Sequence, residues 1–89
     1  MNGRSLVAQN VRRIRVAKGI SQERLAFDSG IDRSYLGGIE REAENPTVDL
    51  LERLAGTLGV PLAELFAEAA RAERKLDGLM RGRRKIQPT

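Results

Sequence analysis

The chain contains no cysteine and no histidine. Without cysteine it has neither a disulfide framework nor a thiolate metal site, which fits an intracellular protein. Without histidine it lacks the commonest general base and the commonest metal ligand. Aromatic residues make up only 3% of the sequence. A core must therefore come from Leu, Ile, Val and Ala, which favours helices packed on helices over a β-sandwich. No apolar run reaches the roughly 18 residues that cross a bilayer, and the N-terminus shows no stretch of signal-peptide character. We expect a soluble, cytoplasmic protein with no cofactor, built as one small domain.

What is present is 40% hydrophobic and 31% charged, a profile that folds. The net charge of +4 conceals a pattern: residues 1–41 carry a net +4, residues 42–70 a net −5 and residues 71–89 a net +5. A basic front followed by an acidic middle implies a polyanion held by the first block, with the middle turned away from it.

Apolar residues Val7, Val11 and Ile14 recur at helical spacing between Leu6 and Lys18, and Gly19 stands where a glycine cap ends a helix. Ser21 is a suitable N-cap for a second helix that runs to about Ser29 and buries Leu25 and Ala26. Gly30 supplies the turn, and Asp32 caps a third helix, about Arg33 to Arg41, with Leu36 and Ile39 inward. Pro46 breaks the chain and Thr47 caps a fourth helix, about Val48 to Leu58, burying Val48, Leu51, Leu54, Ala55 and Leu58. Pro61 opens a fifth, whose apolar residues Leu62, Leu65, Phe66, Ala69, Leu76 and Leu79 extend it toward the late seventies. The expectation is an all-α, compact five-helix bundle: a domain over 1–70, then a basic helical extension and tail over 71–89.

The second and third helices have a small residue, Ala26, at their closest approach, a glycine turn four residues on, and apolar anchors at Ile31, Leu36 and Ile39. That is the layout of a helix-turn-helix, whose second helix enters the major groove and reads bases from its N-terminal half. The layout holds two adjacent glycines, Gly37 and Gly38, which are each worth about 0.8–1 kcal/mol less than alanine inside a helix.

The segments "RRIRVAKGISQERLA", "SGIDRSYLGGIERE", "NPTVDLLERLAGTLGV" and "LAELF" together resemble the Cro/C1-type (Xre) helix-turn-helix regulators. The resemblance runs from about Val7 to Phe66, and within that family "DRSYLGGIER…NPT" looks most like small plasmid-borne regulators and restriction–modification controller proteins. It implies a lambda-repressor-like fold that binds double-stranded DNA. By the same resemblance Gln22 meets a phosphate, and Arg33, Ser34 and Tyr35 open the reading helix. Arg33 is the candidate for bidentate contact with guanine. Gly38 is expected on the same exposed face, four residues after Ser34. Ser21 and Arg12 fall within the same footprint, and Asn45 lies just beyond it. Arg15 and Glu40 stand at positions the family uses for a structural ion pair. Glu42 and Glu44 depart from the family, which often has Gly and a basic residue there, so neither is given a DNA role.

Family members usually pair across two half-sites, which implies a homodimer; Leu50, Leu62, Leu65 and Phe66 are the interface candidates. The implied function is a promoter repressor, with activation through RNA polymerase as a variant. An antitoxin-type regulator that also binds a toxin, and an interaction module that has lost DNA, are the alternatives. No glycine-rich phosphate loop is present and the carboxylates fall on solvated faces, so no enzyme is expected.

Overall fold

The computed structural model describes residues 2–68. The expected extension over 71–89 lies outside the described residues. Among these, four α-helices follow one another: α1 (Gly3–Ala17), α2 (Gln22–Ser29), α3 (Arg33–Glu40) and α4 (Val48–Leu58), then a short 3-10 helix (Leu62–Phe66). Each α-helix starts at a side-chain cap. Asn2 accepts from the Arg4 and Ser5 amides, Ser21 from Arg24, Asp32 from Tyr35 and Thr47 from Leu50. These bonds satisfy amide groups that a helix start leaves without partners.

The four α-helices also end alike. In each, one residue turns to positive φ and the next amide donates to the carbonyl five residues back. The bonds are Ile20 to Arg15 (3.0 Å), Ile31 to Ala26 (2.9 Å), Ala43 to Gly38 (2.8 Å) and Val60 to Ala55 (3.0 Å). At three of these ends the turning residue is glycine (Gly19, Gly30, Gly59), which meets no steric penalty there. At the end of α3 it is Glu42, at φ 64°, a conformation that disfavours a side chain. The exit from the third helix is thus the one strained reversal among the four.

α1 packs on α3 and the 3-10 helix, α2 on α3 and α4, and α4 on the 3-10 helix. Between them lies one aliphatic core, formed by Val7, Val11, Ile14, Leu25, Ala26, Ile31, Leu36, Ile39, Leu51, Leu54, Ala55, Leu58 and Leu65. Val48 departs from its expected place in that core and is 62% exposed. It is the first residue of α4, one turn before Leu51 carries the buried stripe.

The expected fifth helix is instead a 3-10 helix that stops at Phe66, with Ala67 extended at φ −71°, ψ 137°. A buried polar side chain explains the stop. Asn10 donates from Nδ2 to the carbonyls of Leu65 (3.0 Å) and Ala67 (2.8 Å), acceptors that a continuing helix would use itself. Arg13 completes the clasp by donating to Asn10 Oδ1 at 3.1 Å while lying 4.0 Å from the Glu64 carboxylate.

Candidate nucleic-acid interface

α3 is held at both ends. At its start Asp32 caps the first turn; at its end Glu40 is gripped from two other elements. Arg15 donates from Nε and Nη2 to the two Glu40 oxygens, at 2.8 and 3.0 Å, and Gln22 Nε2 donates to Oε1 at 3.0 Å. The remaining Arg15 donor, Nη1, reaches the Ile20 carbonyl at 2.9 Å, in the turn between α1 and α2. One carboxylate thus joins α1, α2 and α3. Burial pushes the Glu40 carboxyl up, but the hydrogen bonds from Arg15 and Gln22 and the charges of Arg15 and Arg12 outweigh it, leaving it below the ordinary value. The hydrogen bond with Glu40 holds the Arg15 guanidinium more basic than usual, against the opposing effect of burial.

Core packing sets which face of α3 turns outward, and the clamp ties its C-terminal end to α1 and α2. Leu36 and Ile39 point into the core, and Arg33 and Ser34 are exposed at the start of the helix, at the positions expected to read bases. Tyr35 is half-buried and packs against the core, so its ring serves partly as scaffold. Arg12, Ser21 and Asn45 are exposed. Ser21 uses its hydroxyl as an acceptor for the Arg24 amide, 3.0 Å away, and Gln22 commits its side-chain amide to Glu40. That bond uses one of the two side-chain N–H donors of Gln22; the other, and its backbone amide in the first turn of α2, where a helix favours an anion, remain for a phosphate.

Gly38 corrects the sequence-based expectation. It is buried, as is Gly37, although both lie on the outward side of α3. The cover comes from the loop that follows. A methyl group placed on Gly37 would lie 3.1 Å from Arg41 Nη1, and one placed on Gly38 would lie 2.6 Å from Glu44 Cγ. Arg41, the C-cap of α3, reaches back over Gly37, and the tight reversal at Glu42 returns the chain so that Glu44 lies across Gly38. Nothing in the spacing of α3 signals this, because the turn lies beyond the helix and a glutamate, not a glycine, takes its positive φ.

Among the interface candidates, Leu65 is fully buried at 0% exposure and belongs to the core, because it fills the space between α1 and α4. Leu50 and Leu62 are half-buried against the core, and Phe66 is 41% exposed. Among the described residues no cluster of Asp and Glu side chains could hold a metal ion, and no helix is long and apolar enough to cross a membrane.

A capped pair of short helices, joined by a glycine turn with the second presenting an open N-terminal half, defines a helix-turn-helix protein. A helix-turn-helix family model (HTH_3) matches residues 11–65, and the chain belongs to that Cro/C1-type family. It is 42% identical over 63 residues to a hypothetical transcription factor of Neisseria meningitidis serogroup B, an alignment covering 71% of this chain and 59% of that protein. It thus spans less than two thirds of that relative. The crystal structure of the restriction–modification controller protein C.AhdI from Aeromonas hydrophila superposes with TM-score 0.69 at 46% identity, covering 71% of this chain and 96% of that one. The controller protein C.Esp1396I, solved as a tetramer in complex with its natural 35 base-pair operator, superposes with TM-score 0.68 at 38% identity, covering 74% of this chain and 87% of that one.

Proposed function

We propose that this protein is a sequence-specific, double-stranded DNA-binding transcriptional regulator of the bacterial cytoplasm. In this reading it is not an enzyme, and it binds as a homodimer to a pseudopalindromic operator and represses the promoter there. The observation that carries the reading is the clamped α3, with Arg33 and Ser34 standing open at its start beside the amide-rich first turn of α2. A rigid helix with an exposed guanidinium at its tip suits bidentate contact with guanine O6 and N7, and the α2 start suits a phosphate. Likeness to controller proteins, one of them solved on its operator, supports the same reading. The alternative of an interaction module without DNA binding requires a dismantled reading face, and Arg33 and Ser34 are accessible.

One recognition helix covers too few base pairs for useful specificity, so two copies reading half-sites about one helical turn apart are required. Leu50, Leu62 and Phe66 keep accessible apolar surface for that pairing. The test is binding to duplex DNA from upstream of the protein's own gene over a salt series. Log K is expected to fall steeply with log salt, and Arg33→Ala to relax preference at one base pair by about 1–3 kcal/mol. Binding that ignores salt, or an Arg33→Ala variant as selective as the parent, would overturn the proposal.

A further inference from the structure

The middle of the outward face of α3 has no side chains of its own, because Gly37 and Gly38 occupy it. Its chemistry is borrowed from the loop. Arg41 lays its guanidinium against Gly37, and Glu44 lays its side chain along Gly38, with Oε2 3.2 Å from where a Cβ would stand. Glu44 is half-buried as a residue, and among the described residues its carboxylate has no hydrogen-bond donor and no ion-pair partner, Arg41 included. An acceptor-only group held at a surface without a donor is available for one.

We propose that Glu44 is a specificity-determining residue, accepting a hydrogen bond from the exocyclic amino group of a cytosine or adenine in the major groove. The proposal rests on the DNA-binding reading above and assigns a role within it. A carboxylate at a DNA surface is repelled by phosphate oxygens and by the acceptor edges of guanine and thymine; only cytosine N4 and adenine N6 offer it a donor. Gly38 lies one helical turn after Ser34, on the same face. The carboxylate therefore sits about 5 Å along the helix from the reading tip, within about two base-pair steps of the base that Arg33 contacts. The Arg41 guanidinium, held against the neighbouring Gly37, adds a positive charge to the same helix surface. Glycine at position 38 is what allows this arrangement, since any Cβ there collides with Glu44 Cγ.

Two effects of opposite sign follow. Glu44 weakens binding to DNA in general and sharpens the choice of one base pair, a combination that a structural role does not produce. The test selects duplexes from a randomised pool with the full-length wild-type protein. Fluorescence anisotropy at fixed salt then compares wild type, Glu44→Ala, Glu44→Gln and Arg33→Ala on the selected duplex, its single-base variants and an unrelated duplex. Circular dichroism confirms that each variant is folded.

The expected result is a cytosine or adenine preference, within two base pairs of the Arg33-dependent position, that falls at least about fivefold in Glu44→Ala. Glu44→Gln, which keeps an acceptor, retains part of it. Binding of Glu44→Ala to the unrelated duplex strengthens severalfold. Uniform tightening with every preference intact would show Glu44 to be only a repulsive charge, and no change on any duplex would place it away from DNA. Either result overturns the proposal while leaving the Arg33 position intact. A wild-type protein without any preference would remove the DNA-binding reading together with it.

Discussion

Replacing Glu40 with alanine removes a carboxylate that joins α1, α2 and α3 by hydrogen bonds. Exposed ion pairs contribute about 0–1 kcal/mol, whereas removing one partner of a buried pair costs about 3–5 kcal/mol. Glu40 lies toward the second limit: its side chain is 5% exposed and that of Arg15 13%. It accepts three hydrogen bonds, two from Arg15 and one from Gln22. The loss is softened because Arg15 keeps the Ile20 carbonyl. We expect Glu40→Ala to lose about 2–4 kcal/mol, or on the order of 10–25 °C in Tm for a domain of this size.

Thermal melts at neutral pH measure that loss, and melts in acid test its cause. The Glu40 carboxyl titrates below its ordinary value when folded. The stability it supplies is therefore complete above the unfolded carboxylate value of about 4.3 and lost as pH falls through the lowered folded value. The gap between wild type and Glu40→Ala should be full at neutral pH and close in acid. Arg15→Ala combined with Glu40→Ala should cost less than the sum of the two, by at least about 1 kcal/mol. A Tm within about 3 °C of wild type, or strictly additive losses, would refute the clamp. Base preference at the Arg33 position should be unchanged in the variant, because the reading tip has its own cap at Asp32.

The two glycines of α3 should respond differently to alanine in denaturant titrations. Gly37→Ala meets the tip of Arg41, a flexible neighbour, and Gln22 Oε1 at an ordinary 3.9 Å, so the helix preference of alanine should stabilise by up to about 1 kcal/mol. Gly38→Ala drives into Glu44 Cγ, so that gain should vanish or reverse and return when Glu44→Ala is added; equal effects at both positions would contradict the geometry. Asn10→Ala strips the Leu65 and Ala67 carbonyls of their donor and should cost about 2–4 kcal/mol. Amide exchange should then show protection lost first over the 3-10 helix, and uniform loss across the chain would speak against the clasp.

Helix starts were legible in the sequence because a cap is local chemistry. Ser21, Asp32 and Thr47 need only reach an amide three residues on, and the structure shows each doing so. The glycine-terminated helix ends were legible for the same reason, since a left-handed turn selects glycine in any context. The core stripe was legible wherever a helix ran long enough to set its phase; Val48 escaped at the first residue of α4, where the phase is least determined. The break after Phe66, where Ala67 is extended, was not legible, because apolar spacing beyond it favours continuation. The opposing term is a pair of hydrogen bonds from Asn10, 55 and 57 residues away in the chain.

The burial of Gly38 was hidden by a contact from outside the helix, made by Glu44 in the loop that follows. A helical wheel places it outward, and it is outward, yet the chain returns through a strained turn at Glu42 and lays Glu44 over it. The two departures from the family, Glu42 and Glu44, and the two glycines therefore form one arrangement. Glutamate in the left-handed position is tolerated where the other three helix ends use glycine, and that turn delivers a carboxylate onto a helix surface cleared to receive it. Side chains on α3 itself would read DNA from a stiff helix. Side chains folded over it from a loop are set by the loop's conformation, so the middle of the proposed reading surface depends on residues 41–44 as much as on α3.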